Sequence, residues 1–178
     1  MTLALHVGVL YSGNLNSIST PISALAQTRL GVLNSLGIVM FGTAHLALAK
    51  AMQQLDHGRL WPVARVLLCL SGVTLFYVAF YFESLYASAT DTNDPLWIVA
   101  SLTGLAMGAS QPGLSRIAPR VGLFCTLCLG IWLWLVPLAF FVTPSWIGGY
   151  ERLVGIIYLI WVGGIAISLH QHADSIRR

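Results

Sequence analysis

The stretch Val121–Tyr150, VGLFCTLCLGIWLWLVPLAFFVTPSWIGGY, contains no Asp, Glu, Lys or Arg. A helix needs about 20 apolar residues to cross a hydrocarbon core of roughly 30 Å. The segment is longer than that. It also lacks the strict alternation expected of the strands of about 10 residues in a membrane β-barrel. Four more charge-free runs accompany it: Leu30–Ala49, Val66–Phe82, Pro95–Ser115 and Leu153–Ala173. Val66–Phe82 reaches spanning length when Leu60–Ala64 joins it and Arg65 snorkels to the interface. Backbone groups in lipid must be satisfied within the segment, so runs of this length read as helices. The expected fold is all-α: one membrane-embedded domain over residues 1–178, a polytopic transmembrane helix bundle with five full spans.

Composition supports the same reading. Hydrophobic residues make up 57% of the chain and charged residues 8%, against about 25% charged in an average soluble domain. Such a chain cannot cover a soluble surface. The charges it has fall between the apolar runs, and the gaps alternate in sign. Lys50 to Arg65 is basic, Glu83 to Asp94 acidic, Arg116 to Arg120 basic, and Arg177-Arg178 basic again. In a five-span arrangement Lys50, Arg59, Arg65, Arg116, Arg120, Arg177 and Arg178 share one side, and Arg29 and Arg152 the other. The positive-inside rule then places the 50–65 loop, the 112–120 loop and the C-terminus in the cytoplasm. The N-terminal thirty residues and the 83–95 and 143–152 loops face outward. Trp61, Tyr81, Phe82, Tyr86, Trp97, Trp146 and Tyr150 lie near expected span ends, where amphipathic rings prefer to sit. A net charge of +3 is explained by these flanking cations and by anionic headgroups, and nucleic acid is not an expected partner.

Met1–Tyr11 is apolar but about half a span long, and Ser12-Gly13-Asn14-Leu15-Asn16-Ser17 reads as a turn. A secretory signal fits poorly, because no basic residue precedes the apolar run. The segment is expected to be a short N-terminal apolar helix on the bundle or a partial sixth span.

Tyr11-Ser12, Ile18-Ser19 and Asn34-Ser35-Leu36-Gly37 followed by Gly42 resemble the start of the domain-of-unknown-function family numbered 998, a group of small prokaryotic integral membrane proteins. Gly149-Tyr150-Glu151-Arg152-Leu153, followed by Trp161, resembles that family's last helix. The resemblance runs from Tyr11 over the rest of the chain. It implies an inner-membrane protein, six spans in most members and so a shortened first helix here. Thr20 stands where the family usually has Glu, so an acidic site does not carry over to that position. No chemistry follows from the likeness, because fold alone does not confer function.

Candidate polar residues gather on the outward side. Glu83 closes an aromatic stretch (Phe76, Tyr77, Phe80) at the membrane boundary. A carboxylate there suits a proton donor or a cation site, or simply marks the interface in an ion pair with Arg29 or Arg152. Glu151 opens the last helix, where the helix dipole favours an acid. Arg152 follows it, with a fork that fits phosphate or carboxylate. Ser19, Arg29, Glu83, Glu151 and Arg152 form the candidate outward-facing cluster, with a set of structural ion pairs as the plainer reading.

His45 lies inside the first long helix. A bis-histidine haem with His170 is weighed against a histidine hydrogen-bonded within the bundle, and the second is favoured. Cys125-Thr-Leu-Cys128 reads as small apolar filler, since zinc would need four ligands. Asp91-Thr-Asn-Asp94-Pro95 lacks the oxygen spacing of a calcium loop and reads as a cap before a helix. No metal and no cofactor are expected, although a bound lipid fits the composition. Gly104 and Gly108 form a GxxxG, and Gly163-Gly164 give the last helix a small face, so these four are expected at helix contacts. Pro137 is expected to kink the fourth helix.

Two functions are compatible with these residues. One is a non-catalytic accessory or scaffold subunit packing against the lipid bilayer, a membrane protein partner or a homo-oligomer. The other is an intramembrane enzyme or carrier acting on a lipid or isoprenoid-like amphiphile at an outward-facing site.

Overall fold

The computed structural model describes residues 19, 31–53, 58–86, 95–138, 141–143 and 145–177, with the backbone alone for 81–86, 95–97 and 172–177. Five helices account for nearly all of them: α1 Gly31–Gln53, α2 Trp61–Tyr86, α3 Pro95–Ile117, α4 Pro119–Leu138 and α5 Ile147–Arg177. The all-α expectation holds. Four helices are long and apolar enough to cross a membrane: α1, α2 over Trp61–Phe80, α4, and α5 over Ile147–Gln171. The remaining helix, α3, is diluted by Ser101, Thr103, Ser110, Gln111, Pro112 and Ser115.

Helix follows helix in space as in sequence, and α5 returns to touch α1. Pairing is antiparallel. Trp61 Nε1 donates to the Met52 carbonyl at 2.7 Å, which ties the start of α2 to the end of α1. Gly42 and Gly72 meet about three turns further along the hairpin. A side chain on either would come within 3.0 Å of the other's carbonyl oxygen, so the two backbones touch. Gln111 of α3 reaches Thr126 of α4 at 3.1 Å, and Tyr150 of α5 reaches the Leu135 carbonyl of α4 at 2.6 Å. Between α1 and α2, Gly58 has a φ of +106°, a left-handed conformation that glycine adopts without strain. It lies against Arg116 at the end of α3, so α2 and α3 also run in opposite directions.

One end of the bundle therefore carries Lys50, Arg59, Arg65, Arg116, Arg120 and the far end of α5. The other carries the end of α2 with Glu83 and the start of α5 with Glu151 and Arg152.

The core is mainly apolar, but apolar residues also cover the outside and a few polar ones lie within. Asn34, His45, Ser71, Thr103 and Ser110 are buried, while Val63, Val66, Leu70, Val73 and Phe80 of α2 are exposed. On α2 the buried positions Trp61, Ala64, Leu68, Ser71, Leu75 and Val78 recur at helical spacing. Both faces are largely apolar. What sorts them is size and hydrogen-bonding need: lipid accepts large aliphatic chains, and helix contacts favour small or polar groups.

Several boundaries differ from the sequence expectation. The 112–120 loop shrinks to a break at Ala118, because α3 continues through Pro112 to Ile117 and α4 starts on Pro119. Proline is compatible with a first helical turn, where its missing N–H would have no partner anyway. The helix ending at Phe82 extends to Tyr86. The charge-free run Val121–Tyr150 is divided as the 143–152 loop implies, but α5 starts within that loop, at Ile147, and Pro137 sits next to the end of α4 rather than in its interior. Charge-free sequence marks membrane depth, but a turn at the interface can be apolar too. Trp61 stands at the start of its span, as expected, but its ring is 2% exposed and its N–H is used inside the protein.

The helix hairpin α3–α4 generates a packing prediction. A Cβ on Gly122 would sit 2.6 Å from the Ser115 Cα, a backbone atom that cannot rotate away. A Cβ on Gly130 meets nothing within 4 Å among the described residues. Gly122→Ala should destabilise the protein by about 1–3 kcal/mol, as overpacking does. Gly130→Ala should leave stability unchanged or raise it by up to about 1 kcal/mol. Thermal unfolding midpoints in detergent compare the two.

Candidate functional site

A polar chain crosses the centre of the bundle. His45 of α1 is fully buried, and its Nδ1 lies 2.8 Å from the Phe41 carbonyl. A carbonyl only accepts, so Nδ1 carries the proton and Nε2 keeps its lone pair. Nε2 faces the hydroxyl of Tyr158 from α5, which therefore donates to it. Thr103 of α3 stands next to the Tyr158 hydroxyl as a side-chain hydrogen-bonding neighbour. Thr103 and Tyr158 are 1% and 2% exposed. Three helices far apart in sequence are thus joined through one tyrosine oxygen and one neutral imidazole.

Aromatic rings enclose this chain. Phe41 meets His45 and Tyr158 edge-on at 5.0 and 4.8 Å, and the imidazole stacks on Tyr158 at 4.9 Å. Trp132 and Trp161 close the other side of Tyr158 at 6.0 and 5.7 Å. Their own N–H groups are satisfied. Trp132 Nε1 donates to the Ala100 carbonyl at 3.2 Å. Trp161 Nε1 donates to Cys125 Sγ at 3.2 Å. That sulfur also lies 3.6 Å from the Met107 carbonyl and 3.9 Å from Ser110 Oγ.

Gly104 makes the Trp132 contact sterically accessible. A Cβ there would stand 2.9 Å from the indole nitrogen. Of the other glycines singled out by spacing, Gly108 has Leu129 at 3.8 Å, and Gly164 lies under the Phe124 ring with room for no side chain. Gly163 has nothing within 4 Å among the described residues.

The outward cluster is described only in part. Ser19 is a half-buried turn residue. Arg29 lies outside the described residues, as do Thr20 and the 91–94 segment. Glu83 lies in the last turns of α2, and its side chain is outside the description. Glu151 and Arg152 are half-buried on the first turns of α5. Arg152 Nη1 donates to the Gly148 carbonyl at 2.6 Å, so its guanidinium folds back over its own helix start beside the Glu151 charge.

The described residues contain no group of three or more His, Cys, Asp or Glu placed to hold a metal ion. Cys125 and Cys128 are buried free thiols, and Cys69 is an exposed one. His170 is exposed on α5 and stands twelve residues beyond Tyr158, about 18 Å further along the axis. It cannot share a haem with His45, whose Nε2 is already occupied.

Neither Tyr158 nor Thr103 is singled out by motif. The usable signal is position: a tyrosine inside the charge-free run Leu153–Ala173 and near the middle of the span Ile147–Gln171, away from the interface that tyrosines favour.

This layout of apolar helices accompanies a family match over residues 1–168, to the family described as protein of unknown function (DUF998). The chain belongs to that family, and it is a membrane protein with transmembrane helices. The match starts ahead of Tyr11 and includes every residue of the central polar chain. No curated protein and no solved structure matches.

The His45–Tyr158 bond can be measured. Tyr158→Phe and His45→Leu should each destabilise the protein by about 0.5–2 kcal/mol, the range of hydrogen bonds between membrane helices. The double variant should lose less than the sum, because the bond is lost only once. A double-mutant cycle in reversible detergent unfolding reads the coupling, and strict additivity would count against the bond.

Proposed function

We propose that the protein is a non-catalytic accessory or scaffold subunit of a membrane, held in the lipid bilayer by five spans. α3 is the fifth span, its polar residues tolerated because neighbouring helices cover them. Residues before Tyr11 add a short apolar helix or partial sixth span. The cation-rich end faces the cytoplasm of a prokaryotic inner membrane. Its partners are lipid and either a membrane protein or further copies of itself.

One observation carries this reading. The central polar chain starts and ends within the protein, from the Phe41 carbonyl through His45 and Tyr158 to Thr103. Groups that hold helices together in this way are spent on structure. A catalytic or transport site needs donors and acceptors that a substrate can engage.

A second reading, an enzyme or carrier for a lipid or isoprenoid-like amphiphile, draws on a different observation. The end of α2 with Glu83 and the start of α5 with Glu151 and Arg152 fall at the same end of the bundle. The two readings separate in one experiment. The tagged protein is drawn from native membranes in a gentle detergent, alongside Glu83→Gln and Arg152→Ala variants. The scaffold reading expects a stoichiometric membrane protein partner or homo-oligomer, retained by both variants. A monomer carrying an amphiphile that both variants lose would replace it with the carrier.

The orientation has its own test. In a background with Cys69, Cys125 and Cys128 replaced by serine, Arg59→Cys should react with an impermeant maleimide only after the membrane is opened. Ser145→Cys should react in intact cells. The reverse pattern would invert the topology.

A further inference from the structure

The cation-bearing end holds a group of arginines that meet no carboxylate among the described residues. Arg116 ends the helical run of α3, and its Nη1 lies against Gly58, close enough that a Cβ there would approach to 2.6 Å. Arg59 follows Gly58 directly, and Arg120 follows the break at Ala118, so three arginines surround two adjoining connections. Arg65 stands just over one turn into α2, and its Nε is buried without a hydrogen-bond partner among the described residues. Among the described residues, none of Arg59, Arg65, Arg116 and Arg120 forms an ion pair.

We infer that this end binds the headgroup phosphate of an anionic phospholipid. The inference rests on the membrane-spanning reading above and adds a ligand to it. A guanidinium N–H shielded from water needs an acceptor, and the guanidinium fork matches phosphate oxygens. Helix ends lie at headgroup depth, where clustered arginines meet anionic lipid. A free phosphate ion would satisfy the charge alone. A phospholipid also explains the neighbouring surface: Leu60 just before α2, and Val63, Val66 and Leu70 on it, are all exposed around Arg65. They offer an acyl chain a continuous apolar strip leading away from the arginines. Gly58 fits the same arrangement, because any side chain there would displace the Arg116 guanidinium from the connection it covers.

The test uses the full chain in nanodiscs made from an equal mixture of phosphatidylcholine and phosphatidylglycerol. Native mass spectrometry counts the lipids of each class retained on release. The wild type should keep phosphatidylglycerol in preference. Arg65→Gln with Arg116→Gln should reduce that preference by about fivefold for each charge removed. If that pair fails to fold, the exposed pair Arg59→Gln and Arg120→Gln should lower it in the same direction. Arg152→Gln, at the opposite end, should leave it unchanged. Equal retention of both lipids by the wild type, or an unchanged preference in the folded variants, overturns the inference. So does inorganic phosphate that binds in pure phosphatidylcholine discs as well as phosphatidylglycerol does. Failure of the wild type to enter discs would overturn the membrane reading itself, whereas entry without preference overturns only the lipid site.

Discussion

The bond between His45 and Tyr158 is the contact on which the arrangement of helices depends. Each consecutive pair of helices is held together by a short connection as well as by packing. α1 and α5 have no such tether and must find each other through side chains alone. In lipid the apolar surfaces of helices gain little by meeting, since acyl chains serve them equally well. A polar group has a stronger preference, because the alternative is an unsatisfied donor or acceptor in hydrocarbon. His45 and Tyr158 supply that preference, and Thr103 extends it to α3.

The bond also needs its surroundings. A tyrosine hydroxyl can reach a neutral imidazole at this depth only if the helices approach closely and the rings are held in register. Gly42 and Gly72 bring α1 and α2 into backbone contact, which fixes the position of the His45 face. Trp132, anchored on Ala100 across Gly104, and Trp161, anchored on Cys125, hold Tyr158 from the other side. Cysteine at position 125 is therefore more than filler: its sulfur is soft enough to accept an indole N–H and small enough to fit between α3 and α5.

Much of the architecture can be read from charge. Short basic and acidic gaps mark where the chain leaves the hydrocarbon, and their alternation implies the antiparallel order that the Gly58–Arg116 and Trp61–Met52 contacts display. Less legible is how far each helix runs into its loop. The 112–120 and 143–152 loops are expected from the charges, but α3 continues to Ile117, α4 starts on Pro119 and α5 starts on Ile147, so the helix ends shift by several residues. The central polar chain is less legible still. Helical periodicity says which residues share a face, but not which other face they meet. The partner of His45 lies 113 residues away, and no local pattern connects them. A histidine bonded within the bundle could be expected from its depth, but its tyrosine could not.

The two ends of the bundle treat arginine in opposite ways, and this difference has a physical basis. Arg152 meets an acceptor supplied by its own helix, the Gly148 carbonyl, and a neighbouring acid in Glu151. At the far end α1 and α3 finish while α2 and α4 begin, and the arginines around those connections meet no carboxylate among the described residues. Like charges crowded together repel unless anions lie between them. An anionic headgroup, as we infer for this end, lies between such charges and relieves the repulsion, so that the bilayer joins the histidine and tyrosine in holding the bundle together.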